Sequence, residues 1–299
     1  MRTRSAHDPH QTFVAPARRR AELWRLPISA VLIFLIYLAP IALASVYLTV
    51  ALGPATAKAL TDMVVSGATP GAMLLMLYSF AGLAIATIAA TRLVHGRSAA
   101  TLFGPHPRAA LRNFWRVLGP LLLLQLLLSV LALRDSDIYP GLAPLAFLGY
   151  LPLAVPGLLI QTGAEELLFR GYLQQQLGVR FRSPAVWMAL PSALFAWGHY
   201  APGVFSSGAL AIVLWAFLFG CLAADLTART GNLGAALAFH FANNASVMFI
   251  VGLDGNLDGL ALWSAHIDNL ADLTAPGNLM ADFLSLLCAW LLARVVLRC

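Results

Sequence analysis

Charge is what this chain lacks. Of its 299 residues only 11% are Asp, Glu, Lys or Arg, against roughly a quarter in an ordinary soluble domain. One soluble domain of this length needs a far larger polar surface to cover its core, so an ordinary cytosolic enzyme is excluded. With 60% hydrophobic residues a disordered chain is excluded too. Cysteine is equally scarce: Cys221, Cys288 and Cys299 show no CxxC spacing, which argues against a disulfide scaffold or a cysteine metal cluster. What remains is an all-α polytopic membrane protein. The scarcity reaches particular residue types. Lys58 is the single lysine, and the glutamates are Glu22, Glu165 and Glu166. Two of those three adjoin inside a mostly apolar stretch.

The net charge of +6 is carried almost wholly by arginine. The arginines cluster beside apolar runs, as topology determinants do, so nucleic acid is not an expected partner. Residues 1–26, with Arg2, Arg4, Arg18, Arg19, Arg20 and Arg25, read as a basic cytoplasmic tail. The apolar run behind it is about twice the length of a cleavable signal's core and reads as an uncleaved first span. Residues 27–299 then form a multi-span membrane domain. About eight runs are long enough for a bilayer, at roughly 27–50, 70–91, 113–133, 142–168, 184–200, 208–227, 233–252 and 278–297. The fourth contains Pro152 and Pro156 and is expected to break or tilt. Arg92, Arg97, Arg108, Arg112 and Arg116, then Arg180 and Arg182, Arg229, and Arg294 and Arg298 fall on one set of connections. The alternate set holds Lys58 and Asp62, then Arg134, Asp135 and Asp137, then Asp254, Asp258, Asp268 and Asp272. The positive-inside rule therefore puts both termini in the cytoplasm, with the prokaryotic plasma membrane as the expected location. The 92–116 loop has room for a short interfacial helix, with Phe114 and Trp115 at the membrane surface.

Ionisable residues inside spans are costly and by default functional. The first three spans have almost none. The fourth to seventh carry Glu165, Glu166 and Arg170, then His199, then His240 and Asn244. Glu166 and Arg170 are four apart with the acid first, the better order for an ion pair. Glu165 points about 100° away from Glu166 and is available to another neighbour. His240 and Asn244 share one helix face. A carboxylate and an imidazole together can deprotonate water, and a second His with an Asn amide can donate to an oxyanion. No hydroxyl sits in a GxSxG context, which favours direct water attack on an amide. Asp225 and Arg229, also four apart, read as a structural pair at a span end.

In order, Glu165-Glu166 to Arg170, Phe195 to His199, and His240 to Asn244 reproduce EExxxR, FxxxH and HxxxN. This set resembles the CAAX prenyl endopeptidase and bacteriocin-processing (CPBP, or Abi) family of intramembrane proteases, over roughly residues 145–252. The resemblance implies that Glu165 and His199 activate the hydrolytic water and that His240 and Asn244 form the oxyanion site. Glu166 and Arg170 would support the geometry, and Phe195 would pack beside the His199 helix. It implies a metal-independent mechanism with no cofactor; the alternative is a zinc-type ion held by Glu165, His199 and His240 plus water. The expected substrate is a membrane-proximal or lipidated peptide. Two other readings compete: a transporter or proton relay, and a non-catalytic immunity or scaffold protein of the same fold.

Straight spans pose a geometric problem. If the fourth ends near residue 168, Glu165 lies at the cytoplasmic side, while His199 is about 22 Å along the fifth. The fifth span must then be short, tilted or shifted, or residues 168–184 must dip into the bilayer.

Overall fold

A computed structural model describes residues 6–134, 137–205, 208–267 and 276–299. Arg2, Arg4, Asp135, Asp268 and Asp272 lie outside the described residues. The fold is all-α and polytopic. A short amphipathic helix, α1 (Asp8–Val14), precedes α2 (Arg25–Leu52), and α3 (Pro54–Ser66) follows. Then come α4 (Pro70–Leu93), α5 (Pro107–Ala132), α6 (Pro144–Arg180), α7 (Ala185–Trp197), α8 (Ala209–Thr230), α9 (Gly234–Ile250) and α10 (Gly277–Leu297). Six of these, α2, α4, α5, α6, α8 and α10, are long and apolar enough to cross a membrane. The other two apolar runs became the shorter helices α7 and α9. At 1.5 Å per residue they reach only about 20 and 25 Å, less than a hydrocarbon core of roughly 30 Å.

Two boundaries differ from the sequence expectation, and both matter for the site. First, α6 does not break at Pro152 or Pro156; both lie inside a continuous helix. Packing against neighbours sustains a helix past a missing N–H, and here the Tyr78 hydroxyl donates to the Leu153 carbonyl beside the prolines at 3.1 Å. Second, α6 does not end at 168 but runs to Arg180. Its polar continuation is buried rather than solvated. Gln174 donates to the Ala224 carbonyl at 3.1 Å and Gln175 to the Thr101 carbonyl at 2.8 Å, while the Gln176 amide lies 3.2 Å from the His95 ring. Phe114 is also relocated. It lies in α5 and is buried in the core, while Trp115 beside it is exposed.

The core gathers α5, α6, α7, α8 and α9, with Leu121, Leu158, Phe195, Phe219 and Phe239 among its buried side chains. Gly234 lets α9 lie directly on α5: a Cβ there would meet the Ala110 carbonyl oxygen at 1.9 Å. At the opposite end from the arginines, β1 (Ile138–Pro140), β2 (Val251–Leu253) and β3 (Trp263–Ala265) form a small sheet. The central β3 pairs antiparallel with β1 and parallel with β2.

The arginine-rich connections share one end of the bundle. His7 contacts Asp225 near the end of α8 at 3.0 Å, and the Trp290 indole of α10 donates to the same carboxylate at 3.1 Å. Arg229 completes the expected structural pair with Asp225 at 2.7 Å. The loop after α4 joins this end through His95, whose ring is bonded to the Arg20 carbonyl at 3.1 Å. The described part of the segment expected as a basic tail, residues 6–26, is therefore folded onto the bundle, with Phe13, Val14 and Ala17 fully buried.

Candidate active site

The longer α6 removes the geometric problem. Glu165 lies fifteen residues before Arg180, about 22 Å from the α6–α7 turn, and His199 lies a similar distance beyond that turn. Two antiparallel neighbours thus bring both residues to one level, because α7 is short and α6 is long. Direct packing supports this. The Arg170 guanidinium of α6 lies over the Phe195 ring of α7 at 4.9 Å.

A π-helical stretch, Leu167–Gln174, begins directly after Glu166, and a second, Ser246–Ile250, closely follows Asn244. Such wide turns recur at functional sites, where they re-aim side chains. The buried ion pair expected from spacing is present. Arg170 Nη1 donates to Glu166 Oε1 at 2.6 Å, and each side chain is 1% exposed. Arg170 Nη2 also donates to the Gly220 carbonyl at 3.2 Å. This extra bond offsets part of the desolvation cost of a buried charge pair.

His240 is where the structure departs most from the sequence reading. Its ring stands between the two glutamates. Nδ1 faces Glu166 Oε1 at 2.8 Å and Nε2 faces Glu165 Oε2 at 3.4 Å. The two carboxylates, expected to face different neighbours, converge on opposite edges of one imidazole. Glu166 Oε1 thereby takes both Arg170 and His240, while its buried Oε2 has no partner among the described residues. Phe219 and Phe195 wall the ring, at centroid distances of 5.0 and 5.8 Å. The surroundings of these charges are apolar, which strengthens every electrostatic contact among them.

Gln161 is the residue that sequence reasoning missed. Its Nε2 donates to Glu165 Oε2 at 2.8 Å, and its Oε1 accepts from Asn244 Nδ2 at 3.0 Å. One amide therefore ties the expected base to the expected oxyanion donor. The available signal was a glutamine in an apolar run four residues before Glu165, on the same helix face. Both contacts to Glu165 fall on Oε2. Among the described residues Oε1 accepts no hydrogen bond, and the side chain is 12% exposed.

His199 stands apart from the hydrogen-bonded group. Its Nδ1 is 2.9 Å from the Phe195 carbonyl. A carbonyl only accepts, so Nδ1 carries the proton, which leaves Nε2 as the nitrogen that can offer a lone pair. The His199 and Phe195 rings are 4.5 Å apart, and Phe195 also touches His240. No hydrogen bond joins His199 to Glu165 directly among the described residues. The structure thus links Gln161, Glu165 and Asn244 by hydrogen bonds and Glu166, Arg170 and His240 by others; the 3.4 Å approach of His240 to Glu165 joins the two groups, and ring contacts add Phe195 and His199.

The alternative metal set fits poorly. Among the described residues no three His, Cys, Asp or Glu side chains are grouped to hold a metal ion. Both ring nitrogens of His240 point at carboxylates, so an ion bound there would have to displace one of them.

Residues 147–246 match the family model for type II CAAX prenyl endopeptidase Rce1-like proteins, in line with the resemblance carried by the three motifs. That interval contains every residue of the site. The uncharacterized protein YyaK of Bacillus subtilis (strain 168) is 36% identical over 92 residues, covering 30% of this chain and 31% of YyaK. The chain thus aligns with about a third of the curated relative it matches. No solved structure matches the chain.

Proposed function

We propose that this multi-pass membrane protein is a CAAX-protease-like intramembrane endopeptidase. It hydrolyses a peptide bond in a membrane-associated protein or peptide, using water activated by Glu165 and His199. The observation that carries this reading is the open oxygen of Glu165. Oε2 is fixed by Gln161 and His240, which leaves Oε1 to accept a proton from water.

The chemistry follows from the contacts. In the proposed step the attacking water is held by Glu165 Oε1 and the His199 Nε2 lone pair, and its oxygen attacks the scissile carbonyl carbon as Glu165 takes its proton. Negative charge then builds on the carbonyl oxygen. His240 Nδ1 donates to Glu166, so a role at the oxyanion requires a second proton, on Nε2. The Nε2–H of His240 and the Asn244 amide are the donors for the oxyanion. Glu166 and Arg170 hold His240 in place. When the tetrahedral species collapses, Glu165 returns the proton to the departing amine. Phe195 supports both histidines by packing.

A lipidated or membrane-proximal peptide suits a site enclosed by spans. Arginines gathered at one end of the bundle support cytoplasmic termini, and the Bacillus relative supports a prokaryotic plasma membrane. The test is cleavage of fluorogenic, membrane-anchored peptides by protein reconstituted in liposomes. Glu165→Gln should lower the rate by about a hundredfold or more. Cleavage at the wild-type rate by this variant would overturn the reading.

A further inference from the structure

The docked N-terminal segment builds a second site. His10 of α1 is 1% exposed and stacked on Trp187 of α7, with ring centroids 4.0 Å apart. Between α1 and the turn that ends α6 lies a cavity of about 510 Å³. Arg18, Arg180 and Arg182 line it, and Asp8 is its one carboxylate among the described residues. A neighbouring cavity of about 460 Å³ shares Arg18 and Arg180 and adds Arg19. The carboxylate there, Glu22, is taken by Arg25 at 2.8 Å.

Among the described residues none of Arg18, Arg19, Arg180 and Arg182 pairs with a carboxylate. Arg18 reaches only the neutral Gln11 side chain, at 3.1 Å. His10, on the cavity wall, has a buried Nε2 with no partner among the described residues. Four unneutralised guanidinium forks around a pocket match the geometry of a phosphate group.

Position selects the source of that phosphate. The cavities lie between Arg180, where α6 ends, and Trp24, where α2 begins. Trp24 is 56% exposed and Leu23 42%, as residues at headgroup level are. Below them α2 offers exposed Ile28 and Val31 along its outer surface, a track for acyl chains. Basic pockets between spans at this level are lipid headgroup sites. We infer that the joined cavities bind the headgroup phosphate of an anionic phospholipid, with Arg18, Arg19, Arg180 and Arg182 as its ligands. The bound lipid would tie α1 to the ends of α2 and α6.

The test is native mass spectrometry of the full-length protein, purified in detergent with equal amounts of phosphatidylglycerol and phosphatidylcholine. Wild type should retain phosphatidylglycerol. The double variant Arg180→Gln/Arg182→Gln changes two exposed side chains and should weaken retention about 25-fold, from roughly fivefold for each arginine. Arg108→Gln/Arg112→Gln removes the same charge from the start of α5 and should retain the lipid. Equal retention by wild type and the pocket variant would overturn the proposal. So would equal loss in both variants, which means diffuse attraction, or displacement of the lipid by millimolar inorganic phosphate, which means a free-phosphate site.

Discussion

Replacing Gln161 by methionine isolates the contact that the motifs do not contain. Methionine keeps an unbranched, helix-compatible side chain and removes both polar ends. Two hydrogen bonds go: the 2.8 Å bond to Glu165 Oε2 and the 3.0 Å bond from Asn244. The first ends on a charged acceptor and is worth roughly 1.5–3 kcal/mol. Glu165 must be aimed as it takes the proton, so this loss falls on the transition state. It lowers kcat by roughly 10- to 150-fold, with KM little changed. The second loss leaves the Asn244 amide short of an acceptor and costs roughly 1–3 kcal/mol of stability if no water replaces it. The assay is the reconstituted peptide cleavage, with kcat and KM separated and thermal unfolding measured alongside. A kcat within twofold of wild type would refute the reasoning. A second check uses the Glu165→Gln background. If Gln161 acts through Glu165, adding Gln161→Met there changes the residual rate little; a further drop of the same size would show an independent role.

Other outcomes follow from the same contacts. Arg170→Leu leaves Glu166 buried without its cation and should destabilise the fold by roughly 3–5 kcal/mol, with partial recovery when Glu166→Gln is added; chemical denaturation in detergent reads both. Gly234→Ala drives a methyl into the Ala110 carbonyl and should cost at least the roughly 1–3 kcal/mol of an overpacked core, seen as a lower Tm. His10 is held neutral by burial, and secondarily by His7, with its pKa lowered from 6.5 to about 4. Below pH 6.5 the detached segment gains a proton that the docked one refuses, so docking weakens as pH falls from 6.5 towards 4, by roughly 3 kcal/mol at the limit. Hydrogen-exchange protection across residues 8–20, taken relative to the intrinsic rate at each pH, should fall over that range; pH-independent protection would contradict it.

Much of this was legible in the residues, and the gaps have physical causes. Charge scarcity and run length identify a polytopic helical protein because a bilayer leaves few alternatives. The Glu166–Arg170 and Asp225–Arg229 pairs are local, four residues apart on one helix, so spacing suffices. The end of α6 was misplaced because Arg170, Gln174, Gln175 and Gln176 read as an exit into water. They are buried by partners from α8 and the loop after α4, and a one-dimensional pattern does not contain those partners. The position of His240 between two glutamates, and the docking of α1 on Trp187, depend likewise on contacts across the bundle. Gln161 gives only a weak signal in the sequence because a neutral amide in a span is cheap enough to need no explanation.

The central claim is that Glu165 drives peptide-bond hydrolysis in the membrane. The most direct measurement compares the termini of membrane proteins, proteome-wide, in cells expressing wild type or Glu165→Gln at equal levels. The account predicts a defined set of new termini that is present with wild type and lost with the variant. Identical termini in both would contradict it.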